Sequence, residues 1–279
     1  MTPSRRDARP LLRVGHKGAD AIAPGNTLAS FRAAVEAGVE VIELDVLRPR
    51  SDFPDGADWR RAKPGPVAGG SGGDPPAPLL VAHDWADAER RDPGTLAEVL
   101  DAFTRPPLDA VEIDCDLKVA GREDEVVEAL RERELVDRAM VSTMEVGSIL
   151  ALRELEPRLR VGWTYPRVTR AWDRKRWARP LVLGVGAAMR RRLPGLAARR
   201  LPELGVRLMW IYHPLATRAL AAACHDAGVE LIAWTVDDLA RMRVLCDFGV
   251  DGICTNDPRL FAELDAAGRG PAAAAVSAQ

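Results

Sequence analysis

Eight short β-rich runs, most of them followed by a segment of helical periodicity, constrain this chain more than any other feature. The runs are Leu11–His16, Val39–Val46, Ala110–Leu117, Arg138–Thr143, Leu159–Tyr165, Val206–His213, Glu230–Val236 and Asp251–Thr255. Helical spacing of apolar residues marks Thr27–Ala37, Glu123–Leu135, Glu145–Leu155, Leu215–Ala227, Asp238–Phe248 and Pro258–Ala266. The first of these has Asn26 as its expected N-cap and Gly38 as its stop. Parallel strands need a crossover, usually a helix, so this alternation predicts a parallel sheet. Eight such units predict an α/β fold, the closed (β/α)8 TIM barrel, and 279 residues suit one domain of that kind. A ninth run, Pro78–Asp84, is expected in a hairpin-like excursion after the second strand.

The expected organisation is an N-terminal extension at 1–10, one barrel domain at 11–266 and a disordered tail at 267–279. Ser51–Ala77 is rich in Gly, Pro and Asp and is expected to be a mobile loop, in a position to act as a lid. Hydrophobic residues at 47% can fill a large core, and no apolar run is long enough to cross a bilayer. The first ten residues lack the apolar segment of a signal peptide, so a cytoplasmic protein is expected. Cys115, Cys224, Cys246 and Cys254 are scattered and read as reduced thiols. Charge is uneven: 166–200 carries eleven Arg or Lys against one Asp, in a chain of net charge −2. One reading is a basic helical insertion after the fifth strand with a solvated face. The other is a peripheral contact with anionic lipid at the inner face of the membrane, with Trp172 and Trp177 at the interface. No nucleic-acid module accompanies the charge, and no nucleic-acid partner is expected.

Active sites of such barrels form where the strands end. Strand one ends in His16-Lys17, strand two carries Glu43 and Asp45, and strand three carries Asp114 and Asp116 before Lys118. The excursion ends in His83-Asp84. Residues two apart share a strand face, so these carboxylates converge if that face lines the mouth. Such a cluster needs positive charge, and a hard divalent cation, Mg2+ or Ca2+, takes oxygen ligands. Two imidazoles beside a cation suit acid–base cleavage of a phosphate ester, with Lys17 and Lys118 stabilising the phosphoryl oxygens.

In this order, "GHKG", "PGNTLASFRAAVEAG", "IELDV", "VAHD", "DCDLK", "AWTVDD" and "GVDGICTNDP" resemble the glycerophosphodiester phosphodiesterases from about Leu12 to Leu264. The resemblance implies a metal-dependent barrel that hydrolyses glycerophosphodiesters to glycerol 3-phosphate and an alcohol. It implies that Glu43, Asp45 and Asp116 hold the metal and that His16 and His83 form the acid–base pair. Lys118 then contacts phosphate, and Trp234 shapes the substrate pocket. Three departures stand out. Lys17 replaces the usual arginine, which would clamp phosphate with two donors where lysine offers a point charge. Gly25 replaces a glutamate, and Asp116 a longer one. This last change also resembles the sphingomyelinase D branch. A lysophospholipase D or sphingomyelinase D-like enzyme acting on membrane lipids is therefore an alternative, as is a degenerate barrel that binds phosphodiesters or membranes without turnover. Whether water or the substrate's own glycerol hydroxyl attacks first is open. His213 is a second candidate at the mouth, and His225 is read as a partner of its helix's C-terminal dipole.

Overall fold

The computed structural model describes residues 10–53, 76–167 and 179–268. The expected N-terminal extension and tail, the Ser51–Ala77 loop beyond its ends, and Trp172 and Trp177 lie outside these residues or almost wholly so. Among the described residues nine strands form one sheet: β1 Leu12–Gly15, β2 Val41–Leu47, β3 Leu80–Val81, β4 Glu112–Leu117, β5 Ala139–Thr143, β6 Arg160–Tyr165, β7 Leu208–Tyr212, β8 Glu230–Trp234 and β9 Gly252–Thr255. Eight are parallel neighbours, and pairing of β1 with both β2 and β9 closes the barrel. The two-residue β3 lies outside this ring and pairs antiparallel with the end of β2, Val46 opposite Val81. It is the return arm of the expected excursion.

Helices α1 Leu28–Glu36, α4 Glu123–Arg131, α5 Val146–Leu155, α7 Arg218–Asp226 and α8 Leu239–Phe248 fall in the segments of helical periodicity, and α9 Leu260–Gly268 runs two residues past its segment into the expected tail. Two short helices were not expected, α2 Trp85–Arg91 and α3 Leu96–Ala102. Asp84 caps the first, and a reciprocal Thr95–Glu98 capping box starts the second. Such caps satisfy the free N–H groups of a first turn. The cap of α1 is Thr27 rather than Asn26, because the Asn26 side chain is committed to Asp45.

The basic segment after β6 forms α6, Arg179–Leu204. Leu193, Ala197, Leu201 and Leu204 are buried in it at helical spacing, facing the core. The C-terminal half of α6 is thus a barrel helix in its own right. The exposed Arg190, Arg191 and Arg192 sit before that buried stripe. Among the described residues no helix is long and apolar enough to cross a membrane.

Among the described residues two apolar regions make up the barrel, and a third small one joins Leu47, Ala82, Trp85 and Val119 beside the excursion. The larger of the first two lies between the barrel wall and the helices. The smaller fills the barrel: Val14, Val41, Met140, Leu208, Trp210, Ile232 and Cys254, with Trp234 against them. This plug forms the floor on which the polar strand ends stand.

Candidate active site

Strand parity lifts acidic residues from the plug to the mouth. Val41 points into the barrel with the plug, so Glu43 and Asp45 follow on the same side of β2. The register sets Glu43 opposite Asp114 and Asp45 opposite Asp116 on β4. Glu43, Asp45 and Asp116 each bring an oxygen to one point, all within 4.8 Å of one another. Lys118, just past β4, places Nζ 2.5 Å from Asp45 Oδ1 and also bonds Asp116 Oδ2.

The electrostatics follow from burying three carboxylates together. Burial raises the Glu43 carboxyl well above its ordinary range, and Asp45 adds to this. Burial and Asp45 also raise Asp116, although Lys118 opposes them. Burial would raise Asp45 too, but Lys118, His83 and His16 hold it below the usual carboxylate range. With all three ionised, one ammonium leaves two negative charges unbalanced, the charge of one divalent ion. Asp45 Oδ1 is buried without an aligned hydrogen bond, despite the nearby ammonium. An all-oxygen donor set with this charge fits a hard divalent cation, with Lys118 partly standing in for it.

Asp114, level with Glu43 on the neighbouring strand, is fully buried and accepts a hydrogen bond from Ser142 Oγ at 2.7 Å. Burial and Asp116 raise its carboxyl well above the ordinary range.

His16 follows β1, its N–H bonded to Thr255 O at 2.8 Å on β9. Its Nδ1 lies 2.6 Å from Asn256 Oδ1. The amide orientation is fixed from the other side: Asn256 Nδ2 and its backbone N–H donate to Asp237, at 2.6 and 2.8 Å. An amide oxygen only accepts, so Nδ1 carries the imidazole proton and Nε2 is the free base. Nε2 faces Glu43 Oε2 at 4.0 Å. Burial, reinforced by Lys17, lowers the His16 pKa to about 4, so the ring is neutral at pH 7.

The next turn is tightly built. Lys17 and Asn26 both adopt left-handed backbone, at φ 51° and 59°, which L residues visit rarely. Lys17 N–H donates to Glu43 Oε2 at 2.8 Å, and its carbonyl accepts from Asn26 N and Ser30 Oγ. Asn26 Nδ2 donates to Asp45 Oδ2 at 2.8 Å, and Asn26 Oδ1 accepts from Asp45 N at 3.1 Å. His83, half exposed, bonds Asp84 at 3.2 Å and lines a cavity of about 430 Å³ with Lys17, Gly25 and Arg91. Trp234 ends β8 against Tyr212, ring centroids 5.7 Å apart, and its Nε1 has no acceptor among the described residues.

A sequence model of the glycerophosphoryl diester phosphodiesterase family matches residues 16–53 and 95–260. The chain belongs to that family. Its members are phosphoric diester hydrolases. A glycerophosphodiester phosphodiesterase from Caldanaerobacter subterraneus subsp. tengcongensis is 24% identical over 286 residues, spanning 91% of this chain and 97% of that protein. Glycerophosphodiester phosphodiesterase GDPD4 of Arabidopsis thaliana is 39% identical, but over 57 residues, 20% of this chain and 17% of the plant protein. An Oleispira antarctica phosphodiesterase, solved with the product sn-glycerol-3-phosphate, shares the fold at TM-score 0.59 and 17% identity, over 92% of this chain and 96% of that one. The family match omits 54–94, so His83 lies outside it and stands at the mouth through the excursion that returns as β3.

The structure therefore brings Glu43, Asp45, Asp116, Lys118, His16 and Lys17 together, with His83 and Trp234 on the rim. His213 is tied elsewhere, its Nδ1 and carbonyl both held by Arg241 of α8. His225, in the last turn of α7, bonds Asp251 at 2.9 Å. Sequence reasoning missed Asn26 as a carboxylate partner and Asn256 and Asp237 as partners of His16. The last two follow the ends of β9 and β8, the position that flags site residues in this fold.

Proposed function

We propose that the chain is a metal-dependent phosphodiesterase that hydrolyses glycerophosphodiesters to glycerol 3-phosphate and an alcohol. The observation that carries this reading is the three-carboxylate oxygen cluster faced by the unprotonated nitrogen of a neutral imidazole. Glu43, Asp45 and Asp116 hold a divalent cation, Mg2+ or Ca2+, which when bound stabilises charge on the phosphoryl oxygens. Lys17 and Lys118 present ammonium groups to the same oxygens. His16 Nε2 accepts the proton of the attacking hydroxyl while Asn256 keeps Nδ1 occupied. His83 donates a proton to the departing alcohol oxygen. Trp234 offers Nε1–H and an aromatic wall to the substrate. Purified protein with Mg2+ or Ca2+ should release glycerol 3-phosphate from glycerophosphocholine, and EDTA should stop it. A cyclic phosphate intermediate would identify the glycerol hydroxyl as the attacking group. Undiminished turnover in His16→Ala or Asp45→Ala would overturn the site.

One feature supports a second substrate reading, a lysophospholipid. Arg190 of α6 donates to Pro214 O just past β7, which places the exposed Arg190–Arg192 turn at the rim where the strands end. A basic rim beside the mouth suits docking on anionic bilayers. Vesicles with and without phosphatidylserine should then differ in retaining the protein. Cleavage of lysophosphatidylcholine but not of glycerophosphocholine would favour this reading.

A further inference from the structure

The turn between His16 and α1 contains a carboxylate with no role in the reaction as described. Asp20 Oδ1 accepts from Gly25 N–H at 2.7 Å, and Oδ2 accepts from Lys17 Nζ at 3.1 Å. The fork thus joins two of the three positions, Lys17 and Gly25, that stand out against the family resemblance. A Cβ on residue 25 would lie 2.6 Å from Asp20 Oδ1 and 2.9 Å from Lys17 Cβ. Real Cβ atoms do not approach so closely, so a side chain at 25 and the present place of Asp20 exclude each other. Gly25 is gripped on its other side as well, its carbonyl accepting from Arg91 Nη1 at 2.5 Å. The absence of Cβ here makes room for the Asp20 carboxylate.

The Lys17 backbone is already fixed through Glu43, Asn26 and Ser30, which leaves the direction of its side chain to be determined. Two attractions compete for the ammonium: the buried Asp45 and Glu43 below, and Asp20 at the wall. Its ion pair is with Asp20, and the two side chains are 18% and 34% exposed. An ammonium drawn into the Glu43–Asp45–Asp116 cluster would compete with a divalent cation for the same oxygens. One held at the wall faces the cavity that Lys17 and Asp20 line together.

We propose that Asp20 is the positioning residue for Lys17: it anchors the ammonium at the pocket wall, off the cation-binding carboxylates, and Gly25 is the glycine that gives it space. This rests on the phosphodiesterase reading of the site. Asp20 touches no reacting atom and acts through Lys17.

The test is a double-mutant cycle with Asp20→Asn and Lys17→Ala, read in two ways. In glycerophosphocholine kinetics with Mg2+, Asp20→Asn should raise KM about fivefold, the scale of a partly exposed charge pair, and more than it lowers kcat. In thermal unfolding, Asp20→Asn should need more Mg2+ for its half-maximal rise in Tm, a readout that requires no turnover. In the Lys17→Ala background Asp20→Asn should change neither quantity. Independent, additive effects would overturn the proposal, as would an unchanged KM and Mg2+ midpoint in Asp20→Asn. If the wild type cleaves no glycerophosphodiester, the functional reading fails, while the Mg2+ cycle still decides for or against Asp20. The space argument has its own arm without ligand. Gly25→Ala should lower Tm by about 3–10 °C, and the loss should be smaller in an Asp20→Ala background, where only the Lys17 Cβ contact remains. Full Tm in Gly25→Ala alone would overturn the pairing of the two positions.

Discussion

His16 carries its proton on Nδ1 because Asn256 Oδ1 faces it, and Asn256 cannot turn over without losing its side-chain contact to Asp237. Removing this amide frees both the ring and the choice of tautomer. Asn256→Ala should therefore lower kcat by about tenfold or more with Tm little changed, checked by steady-state kinetics beside thermal unfolding. Asp20 gives a pH prediction. Burial raises its carboxyl, but Lys17 and the Gly25 N–H outweigh this and leave it below the ordinary carboxylate range. A group depressed in the folded state stabilises above its unfolded pKa and loses that contribution as pH falls through the folded one. Asp20→Asn should thus cost stability at pH 6 and progressively less below about pH 4, measured by urea unfolding across that range. The carboxylate trio was legible in the sequence because residues two apart on a strand share a face. Asn256 was not, since 240 residues separate it from His16 and no periodicity spans that gap.

At the scale of elements, α6 shows how composition can mask a packing role. Its Arg-rich sequence reads as a solvated insertion, yet Leu193, Ala197, Leu201 and Leu204 bury one stripe of its second half. Leu201→Ala should cost about 2–5 kcal/mol in chemical denaturation, as expected for a buried leucine, whereas Arg191→Ala should cost almost nothing. The barrel strands and the longer helices were visible in the sequence because each repeats its period over enough residues. Helices α2 and α3 span seven residues each, barely two turns, and their caps rather than their periodicity define them. Strand β6 offers a complementary test of the barrel floor. A Cβ on Gly162 would stand 2.9 Å from the Trp210 ring, so Gly162→Ala should destabilise by about 1–3 kcal/mol through overpacking.

Across the whole molecule the site gathers residues from both ends of the chain around one ring of strands. His16 follows β1, β2 and β4 supply the carboxylates, and Asn256 follows β9, which pairs with β1 to close the barrel. A cation that binds this assembled cluster and not the unfolded chain stabilises the fold by mass action. Mg2+ or Ca2+ should therefore raise Tm in the wild type and have little effect in Asp45→Ala, followed by thermal unfolding against metal concentration. The closing seam also bears on synthesis. A growing chain has all three cluster carboxylates once residue 116 is made, but His16 keeps an unsupported ring until residue 256 leaves the ribosome. For about half of its translation the protein thus carries the cluster's carboxylates without an oriented base, and its last strand completes the machinery together with the wall.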